Sequence, residues 1–335
     1  MTGALGLMIG LVPVVLLLLA LRLLDSYKLV RRREVAASLA IGAGVGAVSF
    51  VAHTLLIGSI GLDAQLVRRA FAPALEETLK AIPLFVLVRR ERVGFMVDAG
   101  IHGFAVGTGF ALAENVYYAF ALGTSDLGLW LARGLGTAVL HGSTTAIVGI
   151  LTKELADRHG WHWTRGLPGL ALAITIHGLY NQLLLPPLLA TAALIVVMPL
   201  LLLAVFDYSE RATRQWLGVG LDHDAERLEV LLGGELPGTP VGDYLESVRT
   251  RFEPAVVADM LCLLQIHTEL SLRAKGILIA RAAGVELPLD DAVRANLKEL
   301  RFLERSVGPT GRLALLPFLR TTSRELWQVT RLARG

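Results

Sequence analysis

The sequence holds a single cysteine, Cys262, so no internal disulfide can form and no cysteine framework constrains its redox compartment. That cysteine reads as a small buried apolar residue. Charge is also scarce, at 18% of residues, against about 25% in soluble domains. The net charge of +3 is too small to imply a nucleic-acid partner. Familiar hydrolase motifs are missing too. No Gly-x-Ser-x-Gly presents a nucleophile, no cysteine lies in a long apolar run, and no His-Glu-x-x-His marks a zincin site. Neither a solenoid repeat nor an inverted repeat is evident.

What is abundant is apolar text. Hydrophobic residues make up 54% of the 335, and the mean hydropathy is +0.58. The pattern predicts seven membrane spans: residues 4–24, 36–62, 71–88, 98–122, 129–151, 167–185 and 188–206. The first has no basic stretch before it and a basic cluster (Lys28, Arg31, Arg32, Arg33) after it, so it reads as a retained anchor with an external N-terminus. Gly42, Gly44 and Gly46 suit close helix contact in the second. Residues 63–70 read as an external turn.

Seven spans put the basic segments 25–34, 89–92, 153–165 and 207 onward on one face, leaving Arg68 and Arg69 opposite, as the positive-inside rule requires. The fold class expected is therefore all-α, a polytopic bundle over residues 1–206, since only helices or closed barrels span lipid. From residue 207 charges return at helical spacing, which predicts a cytoplasmic all-helical domain over 207–335. The stretch 255–283 carries Asp259, Glu269, Arg273 and Lys275 and is not read as a span. No catalytic motif is visible in this second domain.

Ionisable groups inside the apolar runs stand out, because a charge at the bilayer centre costs roughly 2.5–3.5 kcal/mol on insertion scales. Glu76, Glu77 and Lys80 interrupt the third span. Glu76 and Lys80 are four apart and fit an ion pair. Glu77 points about 100° away, so one glutamate can serve as counter-ion while the other does chemistry. On an ideal wheel Gly100, Gly103, Gly107 and Phe110 lie within about 40° of Glu114. The Glu114 face is thus a groove that admits another helix backbone. Asp98 reads as a helix-start residue, and His53 and His102 as packing histidines. His141 stands between Thr137 and Thr145, and His177 and Asn181 share a face.

Polar groups at membrane depth on four successive helices face inward and find one another. Carboxylate, imidazole and amide form a water-activating set: a glutamate accepts the proton, and a histidine or asparagine steadies the oxyanion. Glutamate and histidine from separate helices could also ligate zinc. Ala74-Leu75-Glu76-Glu77-Thr78-Leu79-Lys80, Phe110-x-x-x-Glu114-Asn115, Leu140-His141-Gly142 and His177-Gly178-Leu179-Tyr180-Asn181 together resemble the PrsW family of intramembrane proteases, related to CAAX prenyl endopeptidases and bacteriocin-immunity membrane proteins. The resemblance covers about residues 70–185.

That resemblance implies an intramembrane endopeptidase in a bacterial-type plasma membrane. Its reaction would be site-1 cleavage of a membrane-anchored protein such as an anti-sigma factor, by glutamate-activated water. The superfamily includes both glutamic and metal-dependent descriptions. On this reading Glu76 is the general base and Glu77 supports it. Glu114 orients water or shares a proton, and His141, His177 and Asn181 polarise the scissile carbonyl. The alternative is a transporter or ion-coupled binding protein using the same Glu/His cluster as a proton relay.

Overall fold

A computed structural model describes residues 2–27, 29–59, 61, 63–121, 126–234, 236–285, 287 and 291–319. The described chain is helical, with no strand among the described residues. Among the described residues twelve α-helices occur in order: α1 (Thr2–Leu24), α2 (Arg32–Gly58), α3 (Ala64–Leu66), α4 (Ala72–Arg89), α5 (Met96–Ala121), α6 (Leu127–Leu129), α7 (Thr137–His159), α8 (Leu167–Asn181), α9 (Pro187–Gly233), α10 (Pro240–Val248), α11 (Pro254–Ala282) and α12 (Asp291–Leu315). Two π-helical stretches, Val67–Phe71 and Trp130–Gly136, lead into α4 and α7, and a 3₁₀ turn, Trp163–Gly166, leads into α8. The chain divides into two compact units, Met1–Glu210 and Arg211–Gly335, and the boundary falls within α9.

Among the described residues six helical segments are long and apolar enough to cross a membrane: Leu5–Leu24, Arg32–Gly58, Met96–Phe120, Leu127–His159, Pro187–Gly233 and Pro254–Ala282. Two helices expected as spans, α4 and α8, are not among them. The acidic pair and lysine dilute α4. The 15 residues of α8 cover only about 22 Å, short of the ~30 Å of hydrocarbon. Both nevertheless pack into the first unit, against α7 and each other. Pro254–Ala282, which the sequence reading set aside for its charges, meets the length and composition of a span.

In the first unit α5 and α7 are central. Of their apolar windows 89% and 83% are buried, against 22% for α1 and 28% for α2, which line the periphery. Glycines set the spacing. A Cβ at Gly107 would collide with the His141 carbonyl, and one at Gly103 would come within 2.8 Å of the Ala146 Cα. The groove predicted on the Glu114 face is thus filled by α7. Between α2 and α5 the same device recurs at Gly42 and Gly109, where a Cβ would strike the Val106 and Leu39 carbonyls.

Two local readings follow through. Asp98 accepts from the backbone N–H groups of Gly94 and Phe95 (2.7 Å each) and so starts α5. His102 Nδ1 meets Ser38 Oγ at 2.8 Å, which ties α5 to α2. Residues 63–70, read as a turn, are instead wound into α3 and the first π-helical stretch. Asp63 caps that segment by accepting from the Leu66 N–H at 2.8 Å.

The second unit buries Met260, Leu263, Leu264 and Leu270 of α11 against Leu297, Leu300 and Leu303 of α12, with Leu245 of α10 beside them. Within α12 the chain kinks at Gly308 (φ 69°), just before Pro309. Cys262 is exposed, not buried: on α11 its neighbours Leu263 and Leu264 take the core positions.

Candidate active site

The close α5–α7 approach brings Glu114 to His141, with Oε2 and Nε2 3.0 Å apart. The other carboxylate oxygen accepts from the Tyr118 hydroxyl at 2.8 Å. His141 Nδ1 lies 2.9 Å from the Lys80 ammonium. An ammonium can only donate, so Nδ1 accepts and the ring proton sits on Nε2, donated to Glu114. The Lys80 ammonium also lies 4.9 Å from the centre of the Phe110 ring, which packs on the His141 ring at 4.7 Å. The Phe in Phe110-x-x-x-Glu114 thus walls the lysine and steadies the imidazole.

Lys80 pairs with Glu77 at 2.7 Å, both side chains fully buried, not with Glu76 as the four-residue spacing suggested. Three- and four-residue spacings both share a helix face. Packing decides between them, because α7 lies on the Glu77 side and offers His141 and Thr144. Glu77 Oε1 accepts from Lys80, from Thr144 Oγ1 at 3.2 Å and from His177 Nδ1 at 2.8 Å. His177 therefore donates from Nδ1 and turns the lone pair of Nε2 outward, 3.9 Å from Glu76 Oε2. The two imidazole rings sit 5.0 Å apart, edge to face.

Glu76 is differently placed. No hydrogen bond ties its carboxylate among the described residues, and its nearest basic neighbours are His177 and, at 3.7 Å, His53 Nε2. His53 was read as a packing residue. The available signal was the one that marked His141, a histidine inside an apolar run.

A cavity of about 470 Å³ is lined by Glu76, Glu114, His53, His141, His177 and Asn181, with Arg68, Arg69 and Arg133 also on its wall. Glu77 lies behind this wall and touches it through His177. Asn181 reaches the cavity, but its amide donates to the Arg68 carbonyl at 3.2 Å. Of the six residues singled out, five join one network through Lys80 and the histidines, and Asn181 borders it. Tyr118 and Thr144 complete the network and were not foreseen; hydroxyl groups in helices are too common to mark a site by sequence.

Glu76, His141 and His177 each offer a ligand atom within 4.8 Å of the others. A carboxylate with two imidazoles is a donor set that catalytic zinc uses. Glu77 on His177 is the outer carboxylate that fixes such a ligand's tautomer. Glu76 and His177 present lone pairs as they stand, whereas His141 becomes a ligand only if one of its nitrogens gives up its present partner. The donor set therefore fits a divalent metal, with that single adjustment.

No curated protein and no solved structure matches the chain. The model of the PrsW family intramembrane metalloproteases matches residues 31–205, just over half of the sequence and all of the cavity's side chains, and the chain belongs to that family.

Proposed function

We propose that this integral membrane protease hydrolyses peptide bonds of membrane-anchored proteins with a water molecule activated by glutamate, and that its substrates include regulatory proteins such as anti-sigma factors. The observation that carries the reading is the gathering of Glu76, Glu114, His141 and His177 on one cavity inside a helical bundle. Glu76 takes the proton as the water oxygen attacks the scissile carbonyl carbon, then gives it to the leaving amine as the C–N bond breaks. It suits that task because no donor occupies its oxygens. Glu77 balances Lys80 and orients His177. Glu114, gripped by Tyr118 and His141, holds the water against the carbonyl. A divalent metal held by His141, His177 and one Glu76 oxygen would leave the other Glu76 oxygen to act as base, and would supply the Lewis acidity that polarises the carbonyl, for which the imidazole N–H groups, committed to Glu77 and Glu114, have no proton left. A transporter has no observation in its favour beyond the buried Glu and His themselves, and family membership goes against it.

The test is cleavage of a single-span substrate by the purified chain in detergent, read by mass spectrometry. Glu76→Gln is expected to lower kcat by about 10²–10⁴-fold with an unchanged melting curve. Wild-type rates in Glu76→Gln and Glu77→Ala would remove the glutamate mechanism. For the metal, elemental analysis should find one equivalent per chain, absent in His177→Ala; a metal-free chain that cleaves at full rate excludes it.

We also propose that residues 207–335 face the cytoplasm, which the basic segments favour. The exposed Cys262 reports this directly: a membrane-impermeant maleimide should label inverted vesicles and spare right-side-out ones.

A further inference from the structure

Arg68 and Arg69 are the two basic residues that the sequence leaves on the sparsely charged face, and the structure adds Arg133 on the same cavity wall as Glu76 and Glu114. One device presents all three. Arg68 and Arg69 lie on the π-helical stretch Val67–Phe71, and Arg133 on Trp130–Gly136, the two such stretches among the described residues. π-Helical turns are uncommon and recur at functional sites.

Here both are braced from outside. Three consecutive residues at the end of α8 do most of it. Tyr180 donates to the Ala132 carbonyl at 2.9 Å, Asn181 to the Arg68 carbonyl at 3.2 Å and Gln182 to the Arg69 carbonyl at 3.3 Å. Buried Asn115 adds a bond to the Gly134 carbonyl at 3.2 Å, and Thr137 donates to the Arg133 carbonyl. The backbone under each arginine is thereby fixed by another helix or by the next turn.

The guanidinium groups are less committed than their backbone. Arg68 Nε donates to the Ala64 carbonyl at 3.2 Å. Among the described residues none of the three pairs with a carboxylate. Arg133 is half-buried, where an unpaired charge is costly. A guanidinium fork matches a carboxylate in geometry and charge. The cavity's own glutamates repel an acidic side chain, so arginines on the same wall are what would let one dock.

Resting on the endopeptidase reading above, we propose that Arg68, Arg69 and Arg133 form a specificity subsite that binds an aspartate or glutamate side chain of the substrate close to the scissile bond. The chain then selects substrates with an acidic residue at that position and rejects those with a basic one.

The experiment uses the full chain in neutral detergent with three single-span substrates that differ only beside the cleaved bond, carrying Asp/Glu, Asn/Gln or Lys/Arg. The acidic substrate is expected to exceed the neutral one in kcat/KM by about tenfold or more, chiefly through KM. Arg68→Gln, Arg69→Gln and Arg133→Gln should each lower that ratio and the triple variant bring it near one. Arg133→Glu should shift preference toward the basic substrate. Equal kcat/KM for acidic and neutral substrates in the wild type overturns the subsite while leaving the endopeptidase reading intact. That comparison needs no variant, so it decides even if the triple variant fails to fold. An unchanged ratio in a folded triple variant overturns the subsite as well. So does a loss that follows the anionic lipid in mixed micelles and not the substrate's charge, which would assign the arginines to headgroups. If the wild type cleaves none of the three, the endopeptidase reading fails first and the subsite falls with it.

Discussion

Both units of the molecule bury lysines against carboxylates, and two of these pairs bear comparison. In the first, Lys80 and Glu77 meet at 2.7 Å with both side chains fully buried. In the second, Lys275 and Asp224 meet at 2.6 Å, with 1% and 12% of their side chains exposed. The surroundings differ. Asp224 also accepts from Ser271 at 2.6 Å, and Lys275 donates to the Gly220 carbonyl and lies 5.4 Å from the Trp216 ring centre. That arrangement joins α9 to α11, and the hydrogen bonds described for it run to a hydroxyl, a carboxylate and a backbone carbonyl. Glu77 and Lys80 each hand on to an imidazole, and each imidazole faces a further glutamate on a cavity. A buried ion pair is weak evidence of stability or of function by itself; what it is connected to makes the difference.

The comparison can be broken most sharply at Glu77. Glu77→Ala leaves Lys80 unpaired at full burial and should destabilise the first unit by about 3–5 kcal/mol, while cleavage falls to background; thermal melting and substrate proteolysis measure the two. Asp224→Ala should cost the second unit toward the lower end, about 3 kcal/mol, because Asp224 keeps some exposure. The double replacement Asp224→Leu with Lys275→Met should recover most of that loss, as isosteric apolar pairs do, with cleavage within about twofold of wild type. The corresponding double replacement at Glu77 and Lys80 should restore folding at most, never activity, and a single active variant of that kind would erase the distinction between the two pairs. A smaller effect is expected at Gly107→Ala, where the new methyl meets the His141 carbonyl. Overpacking of this sort costs typically 1–3 kcal/mol, and the displaced imidazole should lower kcat more than it raises KM.

Much of this was legible beforehand, for a physical reason. Charges in apolar runs are so costly that Glu76, Glu77, Lys80, Glu114, His141 and His177 announce themselves without any structure. The glycine face of α5 was legible too, since 3.6-residue periodicity places Gly103 and Gly107 under Glu114. What failed was pairing. Spacing alone permits Lys80 to meet either glutamate, and only the position of α7 selects Glu77. His53 was passed over because a lone histidine has no periodic partner. The π-helical stretches left no trace in the sequence, and three of the side chains that brace them, Tyr180, Asn181 and Gln182, come from more than forty residues away. Of the two expected spans that fall short, α4 is diluted by its own charges, and α8 is bounded by the 3₁₀ turn before it and the positive φ of Leu183 after it.

The glycine contacts between α5 and α7 carry one more consequence. Where main chain rests on main chain, no side chain remains whose size could be traded to widen or narrow the gap. The separation of the α5 and α7 backbones is therefore a fixed dimension of the scaffold as long as those glycines stay, and substitutions around the cavity can alter which groups act and which substrates dock while the ruler that spaces the two helices stays the same length.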